Sequence, residues 1–477
     1  MGLNLKSIVN FVRDSHQKAA DNLLSWDIFQ SDWAFLQQSE QKLVGVITGN
    51  EVPDHQPGDE EYGLILYLLN YQMPPPLQPV KDLLKQFGMP DSIITPEQYQ
   101  IWLPNLETGF VTSDGTLINT TKYATLDPDY LIAALHYLRT KSHIPLFSTK
   151  THPYGTTPAV FDVPDTDPLT IAVFGDWGTG KWQDSTAAMC PAELVNAGIT
   201  SLNPDIVIHL GDVYYWGSSD QETANFSGML VAGSKASFTL NSNHEMYDGG
   251  NGYFDVALTN PALSAQQQTS WFAITYSDWL LLGLDSAYFD DSTLFKSGTV
   301  TGDDQLAFIK EVVTKPENAG KKIIVMTHHN TINYDGASLN VRKHGGSLAQ
   351  DVFEVLGNRM PEFWYYGHLH NGIVYNAAAV QQSNVFAQFG NPAIGLRCMG
   401  HAGIPAGEAR GLVGNPIADY FVTTPMGGND PRHAKRVLNG FALFTLETGK
   451  ITEAVYEVAN SNTGAKCTVA WQQSTTF

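Results

Sequence analysis

The chain has 477 residues, of which 43% are hydrophobic and 16% charged, so its composition is that of a folded protein and excludes a disordered chain. Its formal net charge of −21 argues against nucleic acid or an anionic membrane as a partner. A phosphorylated ligand would need a strong local positive charge, which bound metal ions could supply. At about 150 residues per domain, the length favours a large catalytic unit and a smaller companion.

The first residues contain no apolar core of signal-peptide length, and no stretch approaches the roughly 20 apolar residues of a membrane span. We therefore expect a cytoplasmic protein without a membrane span, with secretion after removal of a leader as the alternative. The cysteines Cys190, Cys398 and Cys467 lie far apart without a CxxC pair, which argues against a disulfide framework and a cysteine zinc site. The oligomeric state stays open.

Residues 1–165 predict a mainly helical N-terminal region of unknown role, with polar breaks and a stiff proline-rich stretch at 74–79. A turn-rich segment that ends at Pro168 marks the junction with the second predicted domain, residues 166–477.

After this junction, short apolar and β-branched runs predict strands at 171–174, 206–210, 238–240, 280–284, 323–326 and 363–366. Helical patterns lie at 187–202, 303–313 and 347–356, and residues 440–458 alternate like a closing hairpin. Strands that alternate with helices predict a layered α/β fold.

Five of the predicted strands end in a polar cluster, with the sequences GDWG (175–178), GDVYY (211–215), NHE (243–245), THHN (327–330) and GHLH (367–370). In open α/β sheets the ligand site lies at the carboxyl ends of the strands, so we expect these clusters to converge. Oxygen and nitrogen donors of this mixture suit zinc, iron or manganese and do not suit calcium. Two metals need a ligand that bridges them, which a strand-end aspartate can provide.

Taken singly, each cluster has an ordinary structural explanation. Asp176 and Asp212 could be helix caps or turn residues, and Tyr215 could be a core residue. His328 and His329 could be a buried hydrogen-bonded pair. The occurrence of all five clusters at strand ends nevertheless favours a metal site.

The series GDxG, GDxxY, NHE, VxxH and GHxH over residues 170–371 resembles the calcineurin-like metallophosphoesterases and, within them, the purple acid phosphatases. The resemblance implies a layered αββα sandwich and a binuclear-metal phosphohydrolase. It implies a phosphomonoesterase that uses a metal-bound hydroxide and a small phosphorylated substrate. A phosphodiesterase of the same superfamily, acting on cyclic nucleotides or lipid head groups, is the alternative.

The resemblance also implies the ligands of the two metals. The first metal is assigned Asp176, Tyr215 and His370, the second Asn243, His328 and His368, with Asp212 as the bridge. The purple branch is favoured because Gly178 stands where other members have a histidine, whose place Tyr215 would take. Since a phenolate prefers a hard, highly charged ion, Fe(III) is implied together with a divalent Fe, Zn or Mn ion.

Two histidines are candidate catalytic residues on the same resemblance. His244 would face the scissile ester as proton donor or charge stabiliser. His344 lies in a segment that resembles one with a substrate-contacting histidine, although it could be an ordinary loop residue.

The match has two irregular points. Ser242 replaces the usual glycine of the third motif, and either His328 or His329 could be the ligand, with VxxH spacing from Val325 favouring His328.

A nucleotide-binding loop is the rival from a different class, because residues 175–181 read GDWGTGK. Trp182 occupies the position of the Ser or Thr that would bind magnesium, and Asp176 would place a carboxylate in the phosphate cradle. The loop is therefore disfavoured. A scaffold that has lost its metals is disfavoured as well, since all seven ligand positions are filled.

Overall fold

The computed structural model describes residues 110–118, 133, 136–137, 140, 159–165, 168–178, 189–342, 345–427, 433–461 and 464–477. The chain divides into two compact units, Met1–Leu103 and Pro104–Phe477, and every described residue belongs to the second. Most of the predicted helical region 1–165 lies outside the described residues. Residues N-terminal of the predicted boundary at 165/166 also join a sheet of the second unit, since Ala159–Asp162 pairs with Phe272–Tyr276.

The strands that the structure describes are β1 (Phe110–Val111), β2 (Leu117–Ile118), β3 (Ala159–Asp162), β4 (Leu169–Phe174), β5 (Ile206–His209), β6 (Ala236–Thr239), β7 (Phe272–Tyr276), β8 (Trp279–Gly283), β9 (Lys322–Thr327), β10 (Phe363–Tyr366), β11 (Gly372–Tyr375), β12 (Gly395–Met399), β13 (Ala418–Phe421), β14 (Asn439–Glu447), β15 (Lys450–Ser461) and β16 (Gly464–Thr476). The α-helices are α1 (Pro191–Leu202), α2 (Ser219–Gln221), α3 (Asn243–Met246), α4 (Asp303–Thr314), α5 (Leu348–Val355) and α6 (Ala377–Gln382). No helix of the described residues is long and apolar enough to cross a membrane.

Two sheets form the centre of the fold. The first has the strand order β16-β15-β14-β4-β5-β6, and the second β13-β11-β12-β10-β9-β8-β7-β3. Their facing sides share one hydrophobic core, in which Ile171 and Ile208 of the first sheet lie with Ile274 and Ile324 of the second. Burial of such side chains contributes about 1.5–3 kcal/mol each.

Helices cover the outer faces of both sheets. Apolar residues of α4 and α5, such as Ile309 and Val352, pack with Leu282 and Val325 of the second sheet. Helix α1 contacts β14, β15 and β16 of the first sheet. Its apolar residues Val195 and Ile199 are fully buried, as the 3.6-residue period requires. The predicted layered αββα sandwich is thereby confirmed.

A buried ion pair joins the two sheets. Arg397 on β12 binds Glu453 on β15 through two nitrogens, each 2.7 Å from a carboxylate oxygen, and both side chains are about 5% exposed or less. The Tyr365 hydroxyl donates a third hydrogen bond to Glu453. Such a pair is stabilising only as long as both partners are present, because one buried charge alone is strongly unfavourable.

The predicted strands and helices after the junction are all present, with ends shifted by a few residues. In the first sheet β4, β5 and β6 run parallel, and in the second β8, β9 and β10 do so. The loops that carry the five polar clusters leave the carboxyl ends of β4, β5, β6, β9 and β10. The fold therefore brings the clusters to one edge of the sandwich, as expected for this class of sheet.

Candidate metal centre

Three residues of the polar clusters have backbone conformations that residues other than glycine rarely adopt. Asp176, Asp212 and His368 have φ angles of 60°, 73° and 63°. Each such residue costs on the order of 1–3 kcal/mol and persists only where the surrounding structure fixes it. These turns direct the side chains toward a common point instead of continuing the strands.

The first donor cluster consists of Asp176, Asp212 and His370. His370 Nε2 lies 3.6 Å from Asp176 Oδ1 and 3.7 Å from Asp212 Oδ2. The backbone N–H of His368 donates to both carboxylate oxygens of Asp176 at 3.0 Å, which fixes the orientation of this carboxylate.

The second cluster is centred on His328 Nε2. This atom lies 2.9 Å from Asn243 Oδ1, 3.2 Å from His368 Nδ1 and 3.3 Å from Asp212 Oδ1. Two donors bound to one cation at about 2.1 Å are roughly 3.0–3.4 Å apart in octahedral or tetrahedral geometry, so most of these separations suit a shared cation.

The hydrogen bonds around His328 leave lone pairs facing one another. His328 Nδ1 lies 2.9 Å from the Leu210 carbonyl oxygen, which can only accept, so Nδ1 carries the proton and Nε2 a lone pair. Asn243 Nδ2 donates to the Tyr247 hydroxyl at 3.0 Å, so Oδ1 is the amide atom that faces His328. Nε2, Asn243 Oδ1 and the Asp212 carboxylate are thus all acceptors, and a cation between them would relieve their repulsion.

Asp212 lies between the two clusters. Its Oδ1 faces His328 at 3.3 Å, while its Oδ2 faces His370 at 3.7 Å. One carboxylate oxygen therefore points to each candidate cation position, which is the arrangement that a bridging ligand requires.

His329 also lies close to His328 and His368, but both of its ring nitrogens are engaged. Nε2 donates to the Phe295 carbonyl at 2.7 Å, and Nδ1 lies 2.8 Å from the Ser286 hydroxyl. A nitrogen that carries a proton for a carbonyl cannot offer a lone pair to a metal. The hydrogen bonds are a better guide here than proximity, and they favour His328 over His329 as the ligand.

The electrostatics of the site also suit bound cations. Burial lowers the pKa of His328 to about 3 and that of His368 well below its usual value, so both imidazoles are neutral, the form that binds metals. Burial and the neighbouring Asp212 raise the pKa of Asp176 well above its usual value. Burial acts in the same direction on Asp212, but His328, His244 and His370 outweigh it and hold the pKa of that carboxyl well below its usual value.

No lysine or arginine forms an ion pair with Asp176 or Asp212 among the residues that the structure describes. Cations would compensate this buried negative charge, so the residues present fit a binuclear metal centre.

Two adjacent phenols lie near the first cluster. The Tyr214 hydroxyl is 2.9 Å from His370 Nε2, and its ring stacks on His244 with the centroids 3.8 Å apart. Tyr215, the residue that the motif spacing favours as ligand, is buried, and its backbone carbonyl accepts from His244 Nδ1 at 2.7 Å. The structure thus adds Tyr214 to the candidate residues; in the sequence only its adjacency to Tyr215 points to it.

The catalytic candidate His244 lies in helix α3 next to this centre, held by its stacking on Tyr214 and its bond to the Tyr215 carbonyl. Burial lowers the pKa of His244 to about 4. The other catalytic candidate, His344, lies outside the described residues.

Ser242, the departure from the usual glycine, caps helix α3 by accepting from the His244 N–H at 3.1 Å. Its hydroxyl lies 2.6 Å from Asp212 Oδ1 and also contacts the Glu245 carboxyl. Burial and Asp212 raise the pKa of Glu245 to about 8. Ser242 therefore holds the Asp212 carboxylate, a role that the sequence did not indicate.

Comparison with protein families gives a match between residues 169–372 and the calcineurin-like phosphoesterase family. The matched segment runs from the start of β4 to the start of β11 and contains all five polar clusters. It is a calcineurin-like phosphoesterase domain. The predicted membership in this superfamily is thereby confirmed. Comparison with curated proteins gives no match.

Among solved structures, the chain is similar to a purple acid phosphatase from yellow lupin (Lupinus luteus) seeds, with 15% identity and a TM-score of 0.41. The similarity covers 66% of this chain and 55% of the lupin protein, so this chain spans about half the length of that relative. PhoD is similar with 11% identity and a TM-score of 0.41 over 66% of this chain and 71% of PhoD. Vacuolar protein sorting 29 from Cryptosporidium parvum has 9% identity and a TM-score of 0.27 over 65% of this chain and 99% of its own.

Proposed function

We propose that the protein is a binuclear-metal phosphohydrolase that acts on phosphomonoesters in the manner of the purple acid phosphatases. The observation that carries the proposal is the position of Asp212, whose two oxygens face two separate donor clusters. With the phosphoesterase domain and the converging lone pairs around His328, this position supports two cations held side by side.

Asp176, His370 and a phenol would hold the first cation, and Asn243, His328 and His368 the second. Bound cations would neutralise the phosphoryl oxygens and lower the pKa of a water nucleophile. They would also supply the positive charge that a phosphate needs on a chain with a net charge of −21.

His244 is the residue of this chain that would assist departure of the leaving group by proton transfer. Its Nδ1–H is committed to the Tyr215 carbonyl at 2.7 Å, so Nε2 is the nitrogen that would exchange a proton with the substrate. Because burial lowers the pKa of His244 to about 4, Nε2 would first take up a proton from acidic solvent and then pass it to the departing alkoxide. Stacking on Tyr214 keeps the imidazole in one orientation, which favours proton transfer along a fixed direction.

The phenols support iron at the first position, because a phenolate prefers a hard, highly charged cation. The spacing from Asp212 favours Tyr215 as this ligand, whereas the contact with His370 favours Tyr214. The second cation would be a divalent Fe, Zn or Mn ion.

The test is hydrolysis by the full chain, before and after treatment with a chelator, of p-nitrophenyl phosphate and bis-p-nitrophenyl phosphate. We expect two metal ions per chain, loss of activity with the chelator, recovery on adding metal, and a higher kcat/KM for the monoester. A higher kcat/KM for the diester would favour the phosphodiesterase alternative. Metal-loaded protein that hydrolyses neither ester would refute a phosphohydrolase.

A further inference from the structure

A lysine that belongs to none of the sequence motifs lies beside the metal centre. Lys296 follows a short 3-10 turn, Thr293–Phe295, which contacts helix α3, the helix that carries His244. The Lys296 side chain is exposed, and among the described residues no carboxylate forms an ion pair with it. Its ammonium group is therefore available to a ligand.

The segment 290–298 is held firmly in place. The Asp290 carboxylate accepts from the backbone N–H groups of Ser292 at 2.8 Å, Ser297 at 3.0 Å and Gly298 at 2.7 Å. The Lys296 N–H donates to the Ser292 hydroxyl at 3.0 Å. These bonds close the segment on itself, so Lys296 projects from a rigid turn.

The same segment is attached directly to the histidines of the metal centre. The Phe295 carbonyl, one residue before Lys296, accepts from His329 Nε2 at 2.7 Å. Gly298, two residues after it, has φ +71°, and a Cβ there would lie 2.7 Å from His329 Cβ. His329 in turn follows His328 in the chain. The turn that presents Lys296 is thus seated against the second donor cluster.

Leu294 and Phe295, which directly precede Lys296, adopt the left-handed backbone region, with φ of 57° and 47°. Neither is glycine, so the surrounding structure must hold both residues in this conformation. The anchoring at Asp290 and His329 keeps this turn in place, and the turn determines where the ammonium lies.

The charge of Lys296 acts on the centre itself. Desolvation by the surrounding protein lowers the pKa of Lys296, whose side chain is nevertheless exposed to solvent, and Asp212 acts in the opposite direction by favouring the charged ammonium.

We propose that the Lys296 ammonium binds a non-bridging oxygen of the substrate phosphoryl group at the mouth of the metal centre and favours dianionic phosphomonoesters over monoanionic diesters. This inference rests on the proposed phosphohydrolase function. A monoester carries one more negative charge on its phosphoryl oxygens than a diester, so a fixed cation in addition to the metals binds the monoester more strongly.

The test compares Lys296→Met with the wild type. Charge-assisted hydrogen bonds are worth about 1.5–3 kcal/mol, or roughly tenfold to a hundredfold in binding. We expect KM for p-nitrophenyl phosphate and Ki for inorganic phosphate to rise by this factor, with a much smaller change in kcat. KM for the diester should rise by a smaller factor than KM for the monoester. The metal content should equal that of the wild type.

Lys310→Met is the matched control. Lys310 is also exposed, and its replacement changes the net charge by the same amount. It lies on α4, on the outer face of the second sheet. It should behave as the wild type. Lys296→Arg should restore most of the phosphate affinity because it keeps the charge, and Lys296→Gln serves as a second neutral variant if the methionine variant is poorly soluble.

The inference is overturned if both neutral variants keep KM and Ki within about twofold of the wild type, or if monoester and diester KM rise equally. A lower kcat together with lost metal would show a structural role and would also overturn it. Failure of the proposed function has a different signature, namely a wild type that hydrolyses neither ester. In that case calorimetry with inorganic phosphate and metal-loaded protein still decides whether Lys296 binds phosphate.

Discussion

Replacing the Asp212 carboxylate, which we propose as the bridge, should weaken both metal positions at once. Asp212→Asn keeps the shape and one oxygen of the side chain but removes its negative charge. The two oxygens of Asp212 face His328 and His370 at 3.3 and 3.7 Å, so the charge lies close to both candidate cations. Asp176→Asn, which removes a charge from the first cluster alone, is the matched control.

The magnitude follows from Coulomb's law. Opposite unit charges about 4 Å apart interact with ~4 kcal/mol at an effective dielectric constant of about 20. Since 1.4 kcal/mol is a factor of ten, each cation should lose between about a hundredfold and a thousandfold in affinity after the retained amide oxygen is allowed for.

The assay is competition with a chelator of known affinity, followed by elemental analysis of the protein. We expect Asp212→Asn to release both metals at a chelator concentration that leaves the wild type loaded, and Asp176→Asn to release one metal first. If Asp212→Asn released a single metal while the other stayed at wild-type affinity, Asp212 would not be a bridge.

Three further predictions concern neighbouring residues. A ferric phenolate gives a visible charge-transfer absorption, so iron-loaded protein should be coloured, and a colourless wild type would exclude a ferric phenolate. Loss of the band in Tyr215→Phe alone would identify Tyr215 as the ligand, as the motif spacing favours. Loss in Tyr214→Phe alone would identify Tyr214, as its contact with His370 favours. His328→Ala should lose metal, whereas His329→Ala should lower the melting temperature and keep two metals, since both ring nitrogens of His329 are bonded within the protein; equal metal loss in the two variants would contradict this assignment. Arg397→Met should destabilise the protein by about 3–5 kcal/mol, measured by urea unfolding, because it leaves a carboxylate buried between the sheets without its partner; a loss below 1 kcal/mol would contradict this estimate.

Most of the fold could be predicted from the sequence because its signals are local. The apolar runs around Ile171, Ile208 and Ile324 are short and end in polar residues, which fixes β4, β5 and β9 to within a few residues. The sequence does not predict strand β16, because its residues are exposed and polar and it pairs only with β15, at the edge of the sheet. It does not predict strand β3 either, because β3 lies in a turn-rich segment and is stabilised by pairing with β7, more than 100 residues later.

The residues at strand ends were predictable for the same reason, since parallel strands bring their carboxyl ends to one edge. Contacts between residues distant in sequence were not predictable. The Tyr214 hydroxyl meets His370 across 156 residues, and Ser242 meets Asp212 across 30, through turns whose direction depends on left-handed residues such as Asp212 itself. Lys296 belongs to a loop between the motifs, so only the fold shows that it lies beside them.

The number of metal ions per chain tests the central claim most directly. Elemental analysis of the full chain, purified without chelators and compared with protein reconstituted with iron and zinc or manganese, should give two transition-metal ions per chain and hydrolysis that rises with metal content. Fewer than one ion per chain after reconstitution, with no gain in activity, would contradict the binuclear centre.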